Sequence, residues 1–129
     1  MLRTHVLDEL WQHSGKAAHG VEVPPGTRLL FTNGQIGTKP DGTTPSTTIE
    51  QTEVIFERLH AILQASDMTF KDIVRFNIYL TQQSDVPDVF AIRDRIMGDH
   101  KPAATTLVVN GLARPDLNIE IEAIAAKSD

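Results

Sequence analysis

Two glutamates stand close together in the most strongly β-forming segment of the chain. The run from Leu117 to Ala125 alternates, so Glu120 and Glu122 fall on one face of a predicted strand and isoleucines fall on the other. Two acids side by side on one sheet face repel each other, so they must face water, find basic partners or take part in chemistry. A carboxylate beside a semi-enclosed water can act as a general base, and Glu120 is our candidate for that role. The alternative is a structural glutamate at a subunit interface, paired with Arg75 or a backbone amide.

Two arginines are candidates for the basic partner of these acids or for an anion-binding group. Arg75 falls on the mixed face of a predicted strand and is a candidate ligand-binding residue, although we favour a role in neutralising Glu120 or Glu122 across the sheet. Arg114 precedes Pro115 in a predicted turn, from which it could reach the mouth of a cleft. We favour a solvated loop charge for Arg114.

Two short polar segments could supply further contacts to a ligand. Asn33-Gly34 ends a predicted strand, where a residue without a side chain lets backbone amides approach a ligand and stabilise an oxyanion. The same dipeptide is also common in plain turns. Thr105 and Thr106 could offer hydroxyl groups to a cleft, but both are also good strand formers.

The composition excludes several classes of function. The chain has 129 residues, which fits a single domain spanning residues 1–129, and a formal net charge of -5, which argues against nucleic-acid binding. There is no cysteine, so thiolate chemistry and cysteine-ligated zinc are excluded, and the five histidines lack a metal-binding spacing. We predict neither a metal nor another cofactor. No apolar run of about 20 residues and no signal-peptide layout is present, so we expect a soluble, cytoplasmic protein without membrane contact.

The hydrophobic periodicity predicts two helices and several strands. We expect a strand over 29–36 and a helix that starts at Thr47, where the spacing to Glu50 is that of a capping box. A further strand is expected over 73–80, with Ile73 on its mixed face. A second helix capped by Ser84 or Asp85 should end at Gly98, before strands over 105–112 and 117–125. Residues 1–18 read as an N-terminal arm, in which we expect the only tryptophan to be buried.

This order, β-β-α-β-α-β-β, predicts an α+β sandwich with two helices on one face of a mixed sheet. The opposite face would carry Arg75, Asn77, Tyr79, Glu120 and Glu122. A mixed face of this size is most simply covered by other copies of the chain, so the sequence favours an oligomer.

Several of these segments together resemble the RidA/YjgF family, also called L-PSP, over most of residues 15–127. The resemblance is carried by the run over 31–36, by Gln51-Thr52 in the first helix, by Pro102-Ala103 and by Ile119-Glu120-Ile121. It implies a chorismate-mutase-like homotrimer with three small-molecule clefts between subunits. It also implies hydrolysis of enamines or imines with release of ammonia, with Glu120 near the attacking water.

The chain departs from the family pattern at the residue that matters most for substrate binding. In the family an arginine follows Pro-Ala and holds the substrate carboxylate, whereas this chain has Ala104. Loss of such a charge-assisted pair typically costs about 2–5 kcal/mol of binding. A frequent cysteine is replaced by Thr106, and a frequent tyrosine by Lys16-Ala17. We therefore predict a divergent enamine/imine deaminase with a non-standard substrate; the alternative is a non-catalytic trimeric ligand-binding or protein-interaction module.

Overall fold

The chain folds into a mixed sheet covered on one side by two helices. The computed structural model describes residues 1–11 and 17–129. Its helices are α1 (Thr48–Ala65) and α2 (Val86–Met97). Its strands are β1 (Arg3–His5), β2 (Gly20–Glu22), β3 (Arg28–Phe31), β4 (Gln35–Ile36), β5 (Ile73–Leu80), β6 (Ala103–Val108) and β7 (Ile119–Lys127).

The main sheet has the strand order β3–β7–β5–β6, and β4 pairs with β7 as well. β7 is antiparallel to β3, β4 and β5, whereas β5 and β6 are parallel and are joined through α2. The predicted α+β class, with two helices on one face of a mixed sheet, is therefore confirmed.

Both helices begin where the sequence predicts and α2 also ends there, but Asp85, at the N-cap of α2, makes no side-chain capping bond. The Thr47 hydroxyl accepts a hydrogen bond from the Glu50 backbone N–H (3.2 Å), which satisfies one of the free donors in the first turn of α1. α2 follows a 3-10 turn over Gln83–Asp85 and ends at Gly98, whose φ of 59° favours glycine. The Asp85 carboxylate accepts from the Thr48 hydroxyl (2.7 Å), so it joins the starts of the two helices.

The core lies between the helices and the inner face of the sheet. Ile73 belongs to this core and is fully buried, which corrects its predicted place on the mixed face. The reason is a register irregularity between Ile73 and Arg75 in the pairing of β5 with β7, which interrupts the simple alternation of sides. Beyond it the alternation holds, and Phe76, Ile78 and Leu80 all point inward.

Three predicted strands have different bounds in the structure, and the one expected over 117–125 runs from Ile119 to Lys127. The strand expected over 29–36 is divided into β3 and β4, and Thr32 lies in the break, where its N–H and its hydroxyl both bond to the Ala123 backbone. The strand expected over 105–112 runs instead from Ala103 to Val108. Asn33-Gly34 therefore interrupts a strand instead of ending one.

The N-terminal arm contributes β1, which pairs with β2 in a separate two-stranded sheet. The His19 ring links the hairpin to the chain beyond β1, since its Nδ1 accepts from the Leu7 N–H (3.0 Å) and its Nε2 bonds to the Trp11 carbonyl (2.9 Å). Trp11 is 78% exposed within this chain, contrary to the expected burial. No helix in the described residues is long and apolar enough to cross a membrane.

Candidate functional site

The helices leave one side of the main sheet uncovered, and we call it the open face. Its rows follow from the strand register: Tyr79 lies between Glu120 and Leu107, and the next row toward the start of β5 places Asn77 between Glu122 and Thr105. Because directly paired residues share a sheet face, the predicted carboxylates and the polar residues of β5 do meet on one surface.

Glu120 lies directly over Gly34. A Cβ atom added to Gly34 would stand 2.1 Å from Glu120 Oε2 and 2.9 Å from Glu120 Cδ, distances that no real side chain tolerates. The pairing of Ile36 with Glu120 brings the break between β3 and β4 to this position. The structure thus brings together Gly34 and Glu120, two residues that the sequence analysis proposed for the same site.

Side chains behind the break hold it against the sheet. Arg58 in α1 donates from Nε to Gln35 Oε1 and from Nη1 to the Thr38 carbonyl, each at 2.9 Å. The Gln35 amide in turn donates to the Asn33 carbonyl at 3.0 Å. These bonds fix the backbone on both sides of Gly34, so the space under the carboxylate is preorganised.

The Glu120 carboxylate faces an open depression of about 320 Å³ on the open face. Among the described residues, this carboxylate accepts no hydrogen bond from the protein. It is therefore available to a water molecule or a ligand. The lining residues are Tyr79, Val109, Gly111, Leu112, Glu120 and Glu122.

Glu122 is engaged in a hydrogen-bonded row across the sheet. Its Oε1 accepts from the Tyr79 hydroxyl (2.9 Å) and from the Asn77 amide (3.1 Å). The Asn77 carbonyl oxygen accepts from Arg75 Nε (3.1 Å), and Arg75 Nη2 donates to the Thr105 hydroxyl. The hydrogen bond to Glu122 raises the pKa of Tyr79 above its ordinary value of 10.0, because it favours the protonated phenol. Arg75 reaches Glu122 only through Asn77, and it forms no direct ion pair within the described part of the chain.

Arg114 is bound within its own loop. It donates to both carboxylate oxygens of Asp116 (3.1 and 3.2 Å) and to the hydroxyls of Thr38 and Thr44. These bonds from Arg114 hold the pKa of Asp116 below its usual range. Arg114 thus ties the loop after β6 to the loop before α1.

The remaining predicted site residues do not join Glu120 within one subunit. Ala104 pairs with Phe76 and packs against the core, so its side chain is on the helix side of the sheet. Thr106 pairs with the inward Ile78 and lies on that side too, whereas Thr105 lies on the open face. Lys16, the predicted replacement of the family tyrosine, lies outside the described residues.

Four residues of the depression were absent from the sequence-based candidates: Tyr79, Val109, Gly111 and Leu112. Strand alternation could have found Tyr79, because it placed this residue on the same mixed face as Arg75 and Asn77. The other three follow the early end of β6, for which the sequence carries no periodic signal. Within residues 1–11 and 17–129, no group of three histidine, aspartate or glutamate side chains is arranged to hold a metal ion.

Comparison with known proteins identifies the family of the chain. The family model described as Endoribonuclease L-PSP matches residues 17–127. The chain is 32% identical over 101 residues to "Protein mmf2, mitochondrial" of Schizosaccharomyces pombe, covering 77% of this chain and 80% of the relative. It is 28% identical over 103 residues to "Putative reactive intermediate deaminase TdcF" of Escherichia coli K12, covering 78% and 80% respectively.

A solved structure shows the same fold over almost the whole chain. The conserved Rid family protein YyfB from Yersinia pestis superposes with a TM-score of 0.86 at 25% identity, covering 96% of this chain and 97% of YyfB. The family model and this likeness extend over both helices and the whole main sheet, including Gly34 and Glu120. The chain belongs to the RidA/YjgF family, the family that the L-PSP model describes.

Proposed function

We propose that this protein is a deaminase that hydrolyses an imine or enamine and releases ammonia, with Glu120 as the residue that orients the attacking water. The observation that carries the proposal is the Glu120 carboxylate, which lies over Gly34 and faces the depression without a hydrogen bond from the described residues. The similarity to a relative named as a reactive intermediate deaminase supports the reaction class.

The chemistry needs a carboxylate and one water molecule. Glu120 takes a proton from water as the water oxygen bonds to the imine carbon, and it returns that proton to the imine nitrogen, which gives a carbinolamine. The hydroxyl proton of the carbinolamine then passes to nitrogen, the C–N bond breaks, and a carbonyl compound and ammonia leave. An enamine enters the same route after tautomerising to the imine. In this proposal the Asn33-Gly34 backbone supplies amide donors to the reacting group.

Ala104 changes which imines can bind well. An alanine cannot hold a carboxylate, so small imino acids should be poor substrates for this protein. Ala104 and Glu120 also lie on opposite sides of the sheet, so one small ligand cannot contact both within a single subunit. This separation supports a homotrimer in which a cleft between subunits takes the ligand.

The experiment compares two kinds of imine that are generated in situ by oxidases. An amino-acid oxidase supplies imino acids and an amine oxidase supplies imines without a carboxylate, and ammonia release is followed with and without this protein. We expect clear acceleration with imines that lack a carboxylate and little with imino acids. Glu120→Gln should remove the acceleration, because the amide keeps the shape and loses the base.

Glu57→Gln is the matched control, since Glu57 is an exposed acid on α1 and the substitution should leave ammonia release unchanged. If the wild type accelerates neither kind of imine, or if Glu120→Gln is fully active, the deaminase proposal is wrong. A trimer that binds imines without hydrolysing them would instead support the non-catalytic ligand-binding module.

A further inference from the structure

The depression beside Glu120 has a negatively charged lining. Glu120 and Glu122 contribute two carboxylates to it, and no lysine or arginine is among its described lining residues. Glu122 accepts hydrogen bonds from two neutral groups, Tyr79 and Asn77. The positive charge of Arg75 lowers the pKa of Tyr79, but by less than either glutamate raises it, so the lining stays net negative.

The three positions that could supply a cation do not do so. Position 104 holds alanine, and its side chain lies on the other side of the sheet. Arg114 is held by both oxygens of Asp116. Arg75 is bound to Asn77 and Thr105, and it stands four residues from Tyr79 along β5, or about 13 Å at the usual rise of a strand.

The rest of the lining suits a small apolar group. Val109, Gly111 and Leu112 contribute to the lining, together with Tyr79, whose hydroxyl is bound to Glu122. A ligand held here would place its alkyl part against Val109 and Leu112 and its polar end toward Glu120. A ligand carboxylate at that end would meet like charge, whereas a cation would meet opposite charge.

We propose that this site selects a positively charged ligand without a carboxylate, namely the protonated iminium form of a small alkyl imine. This inference rests on the proposed deaminase function and defines its substrate class. In the balanced reaction, one iminium ion and one water molecule give one aldehyde or ketone and one ammonium ion.

The proton transfers in this reaction need only Glu120 and water. The water oxygen bonds to the iminium carbon as Glu120 takes a proton from it, and that proton then returns to nitrogen. The C–N bond breaks, its electron pair leaves with ammonia, and the remaining hydroxyl proton passes to that ammonia as the carbonyl group forms. No oxidant or cofactor is needed.

Three molecules that share an isopropyl group and have planar head groups of nearly equal shape test the charge preference directly: isobutyramidine as the cation, isobutyramide as the neutral form and isobutyrate as the anion. Binding to the full-length protein is measured by calorimetry and by amide chemical shifts at Gly34 and Gly111. We expect the amidinium to bind at least about tenfold more tightly than isobutyrate, with isobutyramide between them.

Variants test which side chains cause the preference for the cation. Glu120→Gln and Glu122→Gln should each weaken amidinium binding about tenfold and narrow the gap to isobutyrate, because each removes one of the two negative charges. Glu57→Gln removes an exposed acid on α1 and should leave all three affinities unchanged.

The outcomes separate this inference from the proposed function. Equal or tighter binding of isobutyrate overturns the inference, even if imines are hydrolysed, and would mean that a cation from elsewhere completes the site. Tight amidinium binding that depends on Glu120 supports the charge selection, even if no imine is hydrolysed and the deaminase proposal fails.

Discussion

At the scale of single residues, the two glutamates of the open face differ in their hydrogen bonding. Glu122 is committed to Tyr79 and Asn77, whereas Glu120 keeps its carboxylate free of hydrogen bonds from the described residues. The difference arises from their neighbours, because Tyr79 and Asn77 turn their donors to Glu122 and Glu120 is packed on a glycine. Two acids in one strand thus differ in their hydrogen bonding because of their surroundings, and this difference is the basis for the proposed catalytic role of Glu120.

The single tyrosine makes the Glu122 contact measurable. Because Tyr79 is the only tyrosine in the chain, its ionisation can be followed by tyrosinate absorbance without interference from another residue. We expect a midpoint above 10.0 in the folded protein and a lower midpoint in Glu122→Gln, which loses the negative charge beside the phenol.

The raised pKa of Tyr79 determines how the stability of the folded protein changes with pH. The Tyr79–Glu122 bond stabilises the folded state fully below the ordinary tyrosine pKa, and this stabilisation is lost as the pH rises through the folded-state pKa. A wild-type midpoint equal to that of Glu122→Gln would show that the two side chains are not in contact.

At the scale of secondary-structure elements, the connection from β3 to α1 contains two glycines at which an added Cβ atom would clash with different groups. A Cβ on Gly37 would stand 2.6 Å from the Cα of Gln51 in α1, a fixed helix backbone. A Cβ on Gly34 would instead meet the end of the Glu120 side chain, which can rotate away. The same substitution at these two sites should therefore have different consequences.

Gly37→Ala should destabilise the protein by about 1–3 kcal/mol, since the helix must move to admit the methyl group. Gly34→Ala should leave stability near that of wild type but lower deaminase kcat by about 10²-fold, because the carboxylate is displaced by an ångström or more. Urea unfolding and ammonia release measure the two effects, and Gly20→Ala is the control, because nothing lies within 4 Å of a Cβ at that position. Normal activity in Gly34→Ala would contradict the assigned position of Glu120.

The sequence predicted the elements better than it predicted their registers. The caps at Thr47 and Gly98 are local signals, and both helices follow them. The inward position of Ile73 depends on an irregularity in its pairing with β7, which no pattern within residues 73–80 records. Gly34 and Glu120, which the sequence analysis proposed for one site, lie next to each other, but only the structure shows that Ala104 lies on the other side of the sheet.

At the scale of the whole molecule, the open face exposes several large apolar side chains. Leu29 is 53% exposed, Phe31 66% and Leu107 49%. Phe31 pairs with Ile124, so it lies on the same face as the two glutamates. From these exposed side chains we propose that another copy of the chain covers this face.

We therefore predict that light scattering will give a mass three times the 14.2 kDa of the chain.

Phe31→Asp should dissociate the trimer, because it would bury an unpaired charge between subunits. Ile49→Asp is the matched control: Ile49 is 44% exposed but lies in the first turn of α1 on the helix side, where an added acid favours the helix dipole. A monomeric wild type at micromolar concentration would contradict both the trimer and the cleft between subunits. A trimeric Phe31→Asp variant would show that the open face is not the interface, and the binding site would then have to be sought within one subunit.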